Sequence, residues 1–155
     1  MTLKPVVVQQ YQSLVGKAAA TAQTLPKPPE GWLRSMRKAL GLSGAQLARR
    51  MGVTRARIAK AEQAEKLGGI TLKSMQDAAD AMGCRFVYAI VPANGSSEDL
   101  ILVQARKKAR AIVGTASGHM ALENQALPTE RITREIERLA QQLAREMPPG
   151  FWDDP

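Results

Sequence analysis

The chain has 155 residues, 45% of them apolar and 23% charged, with aromatics at only 4%. That is globular usage with a largely aliphatic core, which excludes wholesale disorder, and the length excludes two large catalytic domains. The longest apolar stretch, Phe86 to Ala93, is eight residues, far below the ~20 that cross a bilayer, and no signal-peptide pattern opens the chain. A soluble, cytoplasmic protein is expected, without a membrane partner. The lone Cys84 closes no intrachain disulfide and the lone His119 builds no His-rich metal site, so no metal and no cofactor are expected.

The net charge of +8 is unevenly spread: residues 1–110 hold 18 Lys/Arg against 7 Asp/Glu, whereas residues 111–155 hold 4 against 7. From Gly31 to Met75 there are 10 basic and 2 acidic residues. Such a concentration marks a polyanion-binding surface, and the acidic C-terminal part must serve something else.

In chain order, residues 1–25 carry a mixed apolar and Gln/Ala pattern read as a weak helix or arm, and the run Leu25 to Gly31, with three prolines, is a stiff linker. Leu33, Met36 and Leu40 recur at helical spacing before Gly41. Ser43, followed three residues later by Gln46, has capping-box spacing and predicts a helix from Gly44 to Gly52. Thr54 then caps a helix from Arg55 to about Glu65, and Thr71 caps another with Leu72, Met75, Ala79 and Met82 on one stripe. From Cys84 to Val91, Phe86, Tyr88 and Ile90 alternate with Arg85, Val87 and Ala89, which predicts one β-strand. An isolated strand needs a neighbour, either in the N-terminal arm or, preferably, in the same strand of a second protomer. A helix follows from Glu98 to about Val113, then a short helical piece from Ser117 to Leu127, then a last helix opened by Pro128-Thr129. Its stripe is Ile132, Ile136, Leu139, Leu143 and Met147, and an irregular tail follows.

The expected architecture is mainly α, with an arm and linker over 1–30, a helix-turn-helix domain with a terminal strand over 31–92, and a helical region over 93–155. The helix-turn-helix rests on Gly44 to Gln63, where Leu47, Ala48, Met51, Val53, Ile58 and Ala61 must face inward and Gly52 makes the turn. Thr54, Arg55, Ala56, Arg57 and Lys60 then lie where a recognition helix meets base edges. Arginine bonds guanine O6 and N7 in bidentate fashion, Ala56 suits a thymine methyl, and Thr54 suits a phosphate. Arg34, Arg37, Lys38, Arg49 and Arg50 are candidates for contacts to the DNA backbone.

The segment GLSGAQLARRMGVTRARIAKAE resembles the Xre, or lambda-repressor-like, DNA-binding domains. More specifically, PPEGWLRSMRKALG, ITLKSMQDAADAMGCRFVYAIVP, QARKKAR, HMALENQAL and the terminal FWDDP, in that order, resemble mobile mystery protein A over roughly residues 25–155. The resemblance implies pairing with a Fic-domain protein, hence an antitoxin-like regulator of a Fic adenylyltransferase. Fic inhibitors carry a helical motif S/T-x-x-x-E-G/N whose Glu pairs with an active-site arginine and displaces the ATP γ-phosphate. Within the candidate segment 115–127, Glu123 and Asn124 fit that motif, while His119 stands where Ser or Thr is usual.

Two readings follow: an operator-binding autorepressor that also inhibits a Fic partner, or a plain dimeric Xre-type repressor whose C-terminal helices only dimerise or sense a ligand. Both expect a homodimer on double-stranded operator DNA. An enzyme is not expected, because the chain has no Cys/His pair beyond two distant singletons, no phosphate-binding glycine loop and no carboxylate cluster around a nucleophile.

Overall fold

In a computed structural model the described residues are 5–122 and 128–155, and they form seven helices. These are α1 (Pro5–Ala22), α2 (Trp32–Ala39), α3 (Gly44–Met51), α4 (Arg55–Leu67), α5 (Leu72–Ala81), α6 (Ser97–Leu122) and α7 (Thr129–Glu146). Two compact units result: Thr24–Ala89 holds α2 to α5, and the N-terminal helix joins Ile90–Pro155 in the other.

Local chemistry sets the ends of the helices in the first unit. Ser43 accepts from the Gln46 N–H at 3.1 Å while the Gln46 side chain accepts from the Ser43 N–H at 2.7 Å, so the capping box starts α3. Thr54 and Thr71 cap α4 and α5 by accepting from the N–H three residues on. Leu47, Ala48, Ile58, Met75, Ala78 and Met82 join Leu33 in a shared core, with Met51, Val53 and Ala61 packed at its margin. All six residues expected to face inward thus do so. Leu40 and Leu72, expected on apolar stripes, are exposed, Leu40 as the C-cap of α2 and Leu72 as the first residue of α5.

The start of α2 depends on a distant residue. The Glu65 carboxylate accepts from the N–H groups of Trp32 at 2.6 Å and Leu33 at 2.9 Å, satisfying orphan donors that no local side chain caps. Gly31 lies at φ +85°, and a Cβ there would stand 2.8 Å from a Glu65 carboxylate oxygen. Gly31→Ala therefore should cost about 1–3 kcal/mol, from backbone strain and from displacing that carboxylate. Urea unfolding of the two proteins measures this; equal midpoints would show that Glu65 yields freely.

No β-strand is found among the described residues. The expected strand from Cys84 to Val91 forms no ladder there: a ladder needs a hydrogen-bonded neighbour, and the N-terminal arm, offered as one, is the helix α1. One correction concerns the C-terminal region. The expected helix to Val113 and the separate piece from Ser117 are one continuous helix, α6. A helical glycine such as Gly114 costs only about 1 kcal/mol, which extension of an established helix and packing can outweigh. Residues 123–127 of the expected short piece lie outside the described residues.

α6 and α7 form a hairpin whose seam is made of alanines. Ala105, Ala109 and Ala140 are all 0% exposed, and such small side chains let two helix axes approach closely. Ile136, Leu139, Leu143 and Met147 flank the seam, and Phe151 from the tail closes it. The tail is held in place, with the Gln104 amide donating to the Phe151 carbonyl at 2.8 Å and Lys107 paired with Asp154.

Candidate nucleic-acid interface

The turn between α3 and α4 fixes how α4 presents its start. Gly52 adopts the left-handed conformation at φ 68°, its N–H bonding back to the Ala48 and Arg49 carbonyls, and the Val53 N–H reaches the Ala48 carbonyl at 2.9 Å. Thr54 is extended and its hydroxyl accepts from the Arg57 N–H at 3.2 Å. From this cap, Ile58 and Glu62 point into the domain. Thr54, Arg55, Ala56, Arg57 and Lys60 are all exposed.

The structure thus brings together the five residues expected to meet base edges, on the first two turns of one helix. Arg49 is exposed near the end of α3. Among the described residues, Arg49, Arg55, Arg57 and Lys60 form no salt bridge. Their charges are uncompensated by close acids, the electrostatic condition for attracting a polyanion.

The other four candidate cations, Arg34, Arg37, Lys38 and Arg50, have partners within the domain. Arg50 donates from Nε to the Ala81 carbonyl at 2.7 Å, at the end of α5, where a cation suits the helix dipole. Arg34 faces Glu30 at 3.8 Å and Lys38 bonds Glu30 at 3.0 Å. The Lys38 hydrogen bond, with Arg34 nearby, holds the Glu30 carboxyl below its ordinary range.

Arg37 has a different place from the one expected. Its guanidinium grips the Glu62 carboxylate with two bonds, at 2.6 and 3.2 Å, and donates to the Leu42 carbonyl at 3.0 Å. The two side chains are only 14% and 11% exposed. The hydrogen bonds to Glu62 raise the Arg37 pKa above its ordinary value. This pair ties α2 and the entrance of α3 to α4, so Arg37 holds the helices together rather than standing free at the surface.

Glu62 and Glu65 are the two residues that sequence reasoning passed over, and the signal was present. They are the only acids between Gly31 and Met75, and Glu62 continues the inward Ile58–Ala61 stripe. An acid on a buried stripe within a basic segment calls for a buried basic partner.

His119 is exposed on α6. Glu123 and Asn124, the other residues of the expected inhibitory motif, lie outside the described residues. Among the described residues there is no group of His, Cys, Asp and Glu that could hold a metal ion, and no helix is long and apolar enough to cross a membrane.

A helix-turn-helix family model matches residues 33–88, spanning α2 to α5 and the segment after them. No curated protein and no solved structure matches the chain. The match covers the capped pair α3 and α4, the cationic start of α4 and the buried Arg37–Glu62 pair. Residues 33–88 are therefore a helix-turn-helix domain of the Xre, lambda-repressor-like type, the domain of a DNA-binding regulator.

Proposed function

We propose that the chain is an operator-binding autorepressor acting as a homodimer in the cytoplasm, and that it is also the antitoxin-like inhibitor of a Fic-domain adenylyltransferase. The observation that carries the DNA reading is the exposed set Thr54, Arg55, Ala56, Arg57 and Lys60 on one capped helix start, its cations without acidic partners among the described residues. The test is a gel shift on duplex from upstream of its own gene against an equal length of unrelated duplex. Specific binding exceeds non-specific binding by ~10³-fold or more for regulators of this kind, and equal affinity would sink the proposal.

The inhibitory half is supported by the ordered resemblance of five segments and by the acidic balance of residues 111–155, which suits approach to a basic nucleotide pocket. A carboxylate at Glu123 would occupy the γ-phosphate subsite through charge-assisted bonds to guanidinium. Glu123→Gly should leave the complex with the partner intact while releasing adenylylation, because the remaining helical surface supplies separate contact area. Labelled-ATP assays on wild-type and Glu123→Gly complexes, beside His119→Ala, decide it. A mutant complex that binds ATP yet stays silent would exclude obstruction by Glu123. The chain itself carries out no chemistry in this reading.

A further inference from the structure

The segment after α5 has the pattern of a strand and finds no ladder partner among the described residues. Among the described residues, no backbone N–H or C=O from Arg85 to Val91 has a backbone hydrogen-bond partner. Its composition is nonetheless that of a strand, β-branched and aromatic with a period of two. Phe86 and Tyr88 stack with ring centroids 5.6 Å apart, so these i, i+2 side chains share a face, as extended backbone requires.

That face is only half covered. Cys84 and Phe86 pack against the core of the helix-turn-helix unit, whereas Tyr88 is 70% and Ile90 is 92% exposed. An extended, apolar, unpaired edge of this kind is a template for intermolecular pairing. Charge selects the occupant. In a chain of net charge +8, residues 86–97 carry no charge at all, so two copies meet there without like charges opposing one another.

We propose that Cys84–Val91 is one half of an antiparallel β-ladder, completed by the same segment of a second copy about a two-fold axis through Tyr88. In this register Tyr88 faces its own symmetry mate. Ile90 lies opposite the partner's Phe86, which sits at the margin of that copy's core. Aromatic pairs and aromatic–β-branched pairs are the favoured cross-strand neighbours. Arg85 falls opposite the partner's Val91, and Pro92, which has no N–H to donate, falls at the ladder's end opposite the partner's Cys84. The same register keeps Cys84, Phe86, Tyr88 and Ile90 of both copies on one face, continuous with both cores.

This interface rests on the reading of the chain as a two-fold DNA-binding regulator, and the experiment separates the two. In a Cys84→Ser background, Tyr88→Cys should form an interchain disulfide under mild oxidation, because facing residues of a ladder lie ~4.5–5.5 Å apart. Ile90→Cys should not, since the two copies of residue 90 are then offset by four residues, about 14 Å. Ile90→Lys should weaken dimerisation at least about tenfold in sedimentation equilibrium. Its helical circular dichroism should be unchanged, because Ile90 is almost fully exposed within its own chain.

A dimer that survives Ile90→Lys and gives no Tyr88→Cys disulfide overturns the ladder and leaves the two-fold regulator standing. Crosslinking through Ile90→Cys instead overturns the register. A full-length chain that is monomeric at 100-micromolar protein, a concentration set for the assay at about the upper end of weak association, overturns the ladder outright. A crosslinked dimer that shifts no DNA supports the ladder and removes the DNA reading.

Discussion

Replacing Glu62 with Ala is expected to lower the stability of the helix-turn-helix unit by about 3–5 kcal/mol, the cost of stripping a buried charge of its partner. Arg37 would remain within a site where its side chain is 14% exposed, with the Leu42 carbonyl as its other acceptor. For a unit of this size each kcal/mol moves the melting temperature by roughly 4–8 °C, so the transition should fall by roughly 12 °C or more. Thermal melts followed by circular dichroism measure it. The informative companion is the double variant Arg37→Met with Glu62→Leu, which removes both charges and refills the space. Apolar replacement of a whole buried pair is often neutral or stabilising, so the double variant should recover most of the loss. A Glu62→Ala protein that melts like the wild type would show that the pair carries no weight.

The helix-turn-helix was legible because its signals are local. Ser43 with Gln46, Thr54 and Thr71 mark three helix starts within the sequence that forms them, and Gly52 marks the turn between α3 and α4. Helical period alone puts Leu47, Ala48 and Met51 on one face of α3, and Ile58 with Ala61 on one face of α4. What escaped depends on contacts between residues distant in sequence. Arg37 looks like any surface cation until Glu62, 25 residues away, is seen to enclose it. Glu65 caps a helix that begins 33 residues before it.

The C-terminal unit shows the same division. The stripe of α7 was readable, but the seam is drawn by Ala105, Ala109 and Ala140, whose small side chains give no periodic signal strong enough to rank them above leucine. The expected helix stopped near Val113, whereas α6 runs on to Leu122, since a single helical glycine such as Gly114 costs too little to end a helix already formed. Phe151 fills the hairpin from a tail that has no regular pattern, so nothing in the sequence showed that it turns back. The segment from Cys84 to Val91 is the opposite case: a clear local strand pattern that meets no ladder partner among the described residues.

The largest effect on binding should come from the paired arginines at the start of α4. Arg55 and Arg57 are exposed on the first turn, with Thr54 fixing the helix start by its bond to the Arg57 N–H at 3.2 Å. A bidentate arginine contact to guanine is worth ~1–3 kcal/mol of discrimination, so the double variant Arg55→Ala with Arg57→Ala should lose ~2–6 kcal/mol on the specific operator. Affinity for unrelated duplex should fall much less, because phosphate contacts by the remaining cations supply most of that binding. Arg49→Ala offers the contrast. A backbone contact carries no sequence information, so its loss should weaken specific and unrelated DNA alike and reduce the salt dependence by about one released counterion. Gel shifts at several salt concentrations give both quantities from one series. If the double variant at residues 55 and 57 retains the wild-type ratio of specific to unrelated affinity, α4 is not the helix that reads the operator. The exposed cations would then be backbone contacts, and sequence discrimination would have to come from another surface of the domain.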